Sequence, residues 1–314
     1  MKQENAIDFV VTEFDNGKRI DKYISESKIV SEMNIPTSRS YVQKLIKNGD
    51  VRINDKTVKN SYVVCEGDQV TVVIPDAIIP DILPVDIPLD IVYEDDDVIV
   101  INKEKGRVVH PAPGHYNDTI VNALMYHCKD NLSGINGVQR PGIVHRIDMN
   151  TTGLIVACKN DNAHQFIAEQ LKAHSITRKY EAIVYNHFSD EAGTIDAPLG
   201  RSKNDRKKMC IRPDGKPAVT HYKVLANLKN NFAHIECKLE TGRTHQIRVH
   251  MASIKHPLLG DSIYGPATCP YNTNGQTLHA GTLGFIHPTT KEYMEFKSEL
   301  PDYFKKILNN LSPQ

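Results

Sequence analysis

Two runs of this 314-residue chain concentrate side chains able to do chemistry. One is His145-Arg146-Ile147-Asp148-Met149-Asn150-Thr151-Thr152-Gly153-Leu154-Ile155-Val156; the other is Glu240-Thr241-Gly242-Arg243-Thr244-His245-Gln246-Ile247-Arg248-Val249-His250. In the first, a single carboxylate stands in a polar turn between the apolar strand candidates Gly142–Val144 and Leu154–Val156. An acid at the end of a strand is held firmly enough to act on a substrate. An aspartate in such a turn equally serves as a cap, accepting from nearby backbone N–H groups. In the second run, a helix capped by Thr244 would turn Ile247, Met251 and Ile254 inward and set His245, Arg248 and Ala252 on one side, with Arg248 able to reach a pocket. Arg243 at the helix start offers a planar fork suited to phosphate or carboxylate. A surface arginine on an amphipathic helix fits the same spacing.

Other chemistries find little footing. His145-Arg146-Ile147-Asp148 is not spaced as a kinase catalytic loop, and neither a Gly-rich phosphate loop nor Asp-Phe-Gly accompanies it. His245 and His250 do not share a helix face, so they do not align two metal ligands. Cysteines 65, 128, 158, 210, 237 and 269 are scattered without a C-x-x-C pair, which predicts neither a zinc site nor a disulfide framework. Reduced thiols in a cytoplasmic protein are the plain expectation. The opening residues lead into an apolar stretch broken by Asp8 and Glu13, with no signal-peptide core, and no run approaches bilayer-spanning length.

The elements that must position these runs read as α+β. Strand-like segments are Val98–Ile101, Leu154–Cys158, Tyr180–Tyr185, Val219–Leu225 and Ala233–Leu239, joined by loops and hairpins more often than by helices. That pattern predicts a mixed, mainly antiparallel sheet with flanking helices. Asp161 is placed as the N-cap of a helix carrying Phe166, Ile167 and Leu171. Ahead of this domain, Ser40–Asn48 reads as a helix with Val42, Leu45 and Ile46 as its apolar stripe, Ser40 and Gln43 as a capping box and Gly49 as its stop. Arg39, Gln43 and Lys47 then form a solvent-facing side. Val51–Ile53 and Gln69–Ile74 complete a small α+β module over residues 1–76. An acidic stretch punctuated by Pro75, Pro80, Pro84 and Pro88 suits a linker over 77–90, leaving 91–314 as the larger domain.

Length and composition agree with a small module joined to a domain of roughly 200 residues. Hydrophobic residues make up 40% and charged residues 24%, enough apolar material for a core. Formal net charge is zero, yet the charge is sorted. Arg39, Lys44, Lys47, Arg52, Lys56 and Lys59 cluster in the module, and Arg201, Lys203, Arg206, Lys207, Lys208, Arg212 and Lys216 cluster in the domain. Such patches suit a polyanion, as they also suit ordinary solvated faces.

Together the two runs resemble the signature motifs of the large-subunit rRNA pseudouridine synthase family named for its A-type member. Ile101-Asn102-Lys103, Val109-His110-Pro111, Arg178-Lys179-Tyr180-Glu181-Ala182 and Leu278-His279-Ala280 agree with it, so the likeness spans residues 91–304. Arg39, Gln43, Lys44, Lys47, Gly49, Val51 and Asn54 resemble the S4-like RNA-binding domain of the D-type and C-type branches, and Gly215–Tyr222 is more similar to the D-type. Glu104 and Arg107 depart from the family's usual proline and leucine.

The resemblance implies an isomerase that needs no cofactor or metal and acts on RNA, above all large-subunit rRNA, free or in pre-ribosomal particles. Asp148, Tyr180 and Arg248 stand at its catalytic positions. Asp148 would act ionised, as nucleophile or as electrostatic stabiliser, with Arg248 keeping it so. At ~4 Å and an effective dielectric of about 20 such a pair gains roughly 4 kcal/mol before desolvation. Tyr180 would stack on uracil and serve the proton transfer at C5 or C2′. Arg146 would fill the space of the flipped base, with Arg243 and His245 as further RNA contacts and Arg39, Gln43, Lys44 and Lys47 as those of the module. A tRNA enzyme, a silent ribosome-assembly factor on this fold and an unrelated nucleoside hydrolase are the alternatives. The hydrolase needs a second acid, for which the runs offer only Glu240. The sequence does not specify an oligomeric state; a monomer is the expectation.

Overall fold

A computed structural model describes residues 6–27, 38–74, 82–129, 131–135, 140–205 and 207–312. The chain divides into units Met1–Pro80 and Asp81–Gln314. In the first lie β1 (Ala6–Val10), α1 (Ile20–Glu26), α2 (Arg39–Asn48), β2 (Val51–Ile53), β3 (Lys56–Thr57) and β4 (Gln69–Val73). The strands form an antiparallel sheet in the order β1-β4-β2-β3. Its alternate residues Ile7, Phe9, Val51, Ile53, Val70 and Val72 pack on Ile20, Ile24, Val42, Leu45 and Ile46 of the two helices, as strand and helix periodicities require. Ser38, not Ser40, caps α2, accepting from the Tyr41 N–H. Gly49 ends it at φ 84°, a left-handed position that glycine takes without penalty. Ile20, Tyr23 and Ile24 form the stripe that buries α1, a pattern shorter and weaker in the sequence than that of α2.

The second unit carries β5 (Ile91–Glu94), β6 (Val98–Lys103), α3 (Ile120–Cys128), β7 (Thr152–Cys158), α4 (Asp161–Lys172), β8 (Thr177–Tyr185), β9 (Ala192–Asp196), β10 (Leu199–Arg201), β11 (Met209–Ile211), β12 (Val219–Leu228), β13 (Phe232–Leu239), α5 (Gln246–Ser253), β14 (Leu278–Ile286), β15 (Tyr293–Lys297) and α6 (Asp302–Leu311). The large sheet runs β5-β6-β7-β14-β8-β13-β12-β9, with β15 beside β14. Only the β7–β14 pair is parallel; the mixed, mainly antiparallel sheet of the sequence reading is what forms. β7 is buried along its whole length because Ile155 and Ala157 face one core while Leu154, Val156 and Cys158 face a second, under Ala163 and Ile167 of α4. Gly153, at φ 111°, lies against β14: a Cβ there would come within 2.3 Å of the Ala280 carbonyl oxygen. No larger residue fits that approach.

Three further expectations change. Asn160, not Asp161, caps α4, accepting from the Ala163 N–H (2.9 Å). Residues 82–90 are not a free linker: Ile82 is buried in the main core, Asn122 Nδ2 donates to the Leu83 carbonyl (2.8 Å), and the Val85 N–H donates to the Asn122 carbonyl (3.1 Å). Prolines keep this stretch extended, and α3 supplies the partners that its own backbone lacks. Residues 77–81 of the expected linker, like Arg206 of the basic cluster, lie outside the described residues. The strand expected at Gly142–Val144 reduces to one bridge between Ile143 and Ala157. Among the described residues, no helix is long and apolar enough to cross a membrane.

Candidate active site

The loop that carries Asp148 enters β7 at the centre of the sheet, and it is held from beneath by a buried lysine. Lys103 Nζ donates to the carbonyls of Glu104 (2.7 Å), Arg107 (3.0 Å) and Met149 (2.9 Å). Burial pushes the Lys103 amine down to about 7. The Gly106 N–H also donates to the Met149 carbonyl (3.0 Å), and Gln276 Nε2 reaches Thr151 Oγ1 (3.1 Å). Glu104 and Arg107 form an ion pair with each other. The two departures from the family pattern therefore meet in space while their backbone carbonyls still receive the lysine.

The turn itself closes through the Asp148 backbone, whose carbonyl accepts from the Thr151 N–H (3.0 Å). The Asp148 carboxylate is thereby released from capping duty. Among the described residues its one hydrogen bond comes from Arg248 Nη1 to Oδ2, at 3.0 Å, and its side chain is 17% exposed. Arg248 is buried and is not a surface arginine of an amphipathic helix. The cause is the helix start. His245 is left-handed (φ 55°, ψ 21°), Thr244 does not cap, and α5 begins only at Gln246. The Gln246 side chain ties this corner, accepting from Thr241 Oγ1 (2.7 Å) and the Arg243 N–H (2.9 Å) and donating to the Val219 carbonyl (2.9 Å).

So oriented, Arg248 bridges two carboxylates. Its Nε and Nη2 donate to Asp261 Oδ2 (2.7 Å) and Oδ1 (2.8 Å). Asp261 also accepts from the Ile263 and Tyr264 N–H groups. Burial alone would raise the Asp261 pKa, but these bonds and the Arg248 charge hold it below the usual carboxylate range. Burial likewise works against the Arg248 charge, and Asp261 followed by Asp148 raises its pKa above the ordinary value. Asp261 went unnoticed in the sequence. Its one signal was an acid next to Leu258, Leu259 and Gly260, where a buried carboxylate requires a cation.

A cleft of about 490 Å³ opens over this pair and is lined by Arg146, Asp148, Tyr180, Arg243, His245 and Arg248, among others. All six domain residues expected at a site thus meet in one place, and Asp148 is the one carboxylate among the described lining residues. Tyr180, on β8, is 7% exposed, and burial raises the pKa of its hydroxyl. His245 Nε2 lies 3.9 Å from Asp148 Oδ2, and Nδ1 lies 2.8 Å from the Tyr264 hydroxyl, which accepts from the Met209 N–H. Burial lowers the His245 pKa despite the nearby Asp148. Arg146 reaches outward and donates to His110 Nε2 (3.2 Å), a ring that burial and then the Arg146 charge push down to about 4. Arg243 Nε donates to the Pro217 carbonyl (3.0 Å). Glu240 turns to His221 (2.6 Å) and is outside the cleft lining.

The module residues lie on α2 of the first unit. Arg39 and Gln43 do not simply face solvent: Arg39 Nε (3.0 Å) and Gln43 Nε2 (2.7 Å) donate to the buried Asp21, tying α2 to α1, whereas Lys44 and Lys47 are exposed. Elsewhere Glu94, His127 and Cys128 bring possible metal-ligand atoms within 4.8 Å of one another, but both Glu94 oxygens are engaged, by Lys159 (2.9 Å) and His127 (2.8 Å).

A central mixed sheet thus presents one carboxylate in a cleft lined by several arginines. Residues 97–253 match the RNA pseudouridylate synthase family, and residues 18–70 match the S4 domain. A Bacillus subtilis (strain 168) protein called an uncharacterized RNA pseudouridine synthase, YlyB, is 50% identical over 98% of both chains. The ribosomal large subunit pseudouridine synthase D of Haemophilus influenzae is 41% identical over 94% of this chain and 91% of its own. The solved structure of human RNA pseudouridylate synthase domain containing 1 is similar at TM-score 0.57 and 26% identity, covering 72% of this chain and 89% of that one. The chain belongs to the RNA pseudouridylate synthase family and carries an S4 RNA-binding domain ahead of the synthase domain. It is a pseudouridine synthase, an isomerase whose substrate is RNA.

Proposed function

We propose that this enzyme isomerises uridines of large-subunit rRNA, with Asp148 as its catalytic carboxylate. The observation that carries the reading is the state of Asp148: the lone carboxylate of the cleft, with Arg248 on one oxygen and no other side-chain hydrogen bond among the described residues. The names of the D-type relatives support the rRNA part. In the reaction the N1–C1′ bond breaks, the uracil turns, C5 joins C1′, and a proton leaves C5 as one is gained at N1. No net oxidation or hydrolysis occurs.

In this reading Arg248 aims the Asp148 carboxylate, donating to Oδ2 at 3.0 Å and leaving Oδ1 free of side-chain partners among the described residues. Asp148 then acts on C1′ as nucleophile or stabilises positive charge on the sugar. The Tyr180 ring, which lines the cleft, stacks on the uracil. Its hydroxyl, kept protonated by burial, is available for proton transfer. Arg146 at the rim takes the place of the flipped base in the stack, offsetting an unstacking cost of a few kcal/mol. Lys44 and Lys47 of the S4 domain, with the exposed flank of Arg39, add affinity from a unit that takes no part in the chemistry.

Mapping pseudouridines in rRNA and tRNA from cells with and without the gene tests the substrate. Loss of one or more positions from large-subunit rRNA is expected. Loss confined to tRNA, or no loss anywhere, overturns the rRNA assignment.

A further inference from the structure

The reaction as described leaves one charged wall of the cleft without a task. Arg178 precedes Tyr180 by two residues on β8 and so faces the same side of the sheet. It is 6% exposed and lines the cleft. Its Nη2 donates to the Glu240 carbonyl (2.7 Å), but its buried Nε has no partner, and among the described residues no carboxylate pairs with it. Gly242 makes room for it: a Cβ there would come within 2.6 Å of Arg178 Nη1. Near it, His145 accepts from the Val156 N–H and is pushed down to about 3 by burial and then by Arg178, so the ring is neutral. Arg243 is close enough for its charge to lower the Arg178 pKa further, after burial, and Lys172 also lines the cleft.

A buried guanidinium stays charged, and its desolvation is costly when no anion compensates it. Buried polar groups left without partners are uncommon enough to require a reason. A neutral uracil carbonyl would leave the charge uncompensated, whereas a phosphodiester accepts two guanidinium forks and carries the missing negative charge. We propose that Arg178, with Arg243 beside it, is a phosphate-binding subsite that takes a backbone phosphate flanking the uridine held at Asp148. The assignment rests on the pseudouridine synthase reading of the same cleft.

Binding of the full chain to a fluorescein-labelled oligouridylate, followed by anisotropy across a potassium chloride series, tests it apart from turnover. Arg178→Met and Arg178→Gln should each bind roughly tenfold or more weakly at low salt. Each should flatten the slope of log K against log salt by about 0.7, one phosphate contact on a single strand. Arg178→Lys should retain the slope. The neutral variants should melt at or above the wild-type temperature, because they delete an uncompensated charge. An unchanged slope in a folded neutral variant overturns the subsite. If that variant also loses tritium release from C5-labelled uridine RNA, Arg178 faces the base instead. If both neutral variants fail to fold, the guanidinium is a post under the Glu240 carbonyl and the proposal falls. Slope loss in an enzyme whose pseudouridines map only to tRNA would leave the subsite standing and remove the rRNA reading.

Discussion

Asp21 and Asp148 are both aspartates bonded to arginine, and the structure uses them in opposite ways. Asp21, on α1 of the first unit, has a side chain with no exposure and accepts from Arg19, Arg39 and Gln43. Burial would raise its pKa, but these donors outweigh burial and lower it. Every lone pair is committed, so the residue can only hold helices together. Asp148 accepts from Arg248 alone among the described residues, is 17% exposed, and sits in a cleft with no competing acid. Acceptor capacity is left to spare there. An ion pair alone does not separate architecture from chemistry; the unspent valence of the carboxylate does.

The sharpest way to break that contrast is Asp148→Asn. Pseudouridine formation should fall by several orders of magnitude, read as tritium release from C5-labelled uridine RNA, with melting temperature and RNA affinity close to wild type. A turn cap would tolerate asparagine, so substantial residual activity would reduce Asp148 to the architectural class of Asp21.

Arg248→Ala tests the bridge between the two roles. It removes the partner of Asp148 and leaves Asp261 buried without its cation, so activity should be largely lost and stability should drop by about 3–5 kcal/mol. Urea denaturation beside turnover reads both. A stable but inactive variant would mean that Asp261 finds other donors. A stable and active one would sever Arg248 from the site.

Asp21→Asn should do the reverse, costing roughly 1–3 kcal/mol of stability in the first unit with turnover of bound RNA unchanged. The sign of its pH dependence follows from the lowered pKa. The contribution of Asp21 is fully present above the unfolded value of about 3.9 and is lost as pH falls below it. The stability gap between wild type and variant should therefore close in acid. A gap that persists or widens there would show that the hydrogen bonds, and not the charge, hold α1 to α2.

The smallest effect belongs to Lys44→Ala on the exposed side of α2. Binding to rRNA should weaken modestly, and the salt slope should flatten by about 0.7–0.9. An unaltered slope for both Lys44 and Lys47 variants would remove this face from RNA contact.

Local pattern was enough for much of this protein. The continuous apolar runs of β6 and β7, the stripe and glycine stop of α2, and the two residue runs were readable because composition, cap and turn are short-range properties of the chain. The runs also carried the family, and with it the pairing of Asp148 and Arg248 across 100 residues. Local pattern failed where a side chain answers to a distant one. Arg39 and Gln43 read as solvent-facing because nothing near them in sequence announces Asp21, and Thr244 read as a cap because the left-handed turn at His245 is enforced by Gln246 reaching Val219. Residue types alone determined that one carboxylate, one tyrosine and several arginines were available. The parallel meeting of β7 and β14, the late start of α5 and the packing around Asp261 decided which arginine is buried against Asp148 and which, Arg178, is left with a charge to share, because burial and pairing are set by sheet order and not by sequence distance.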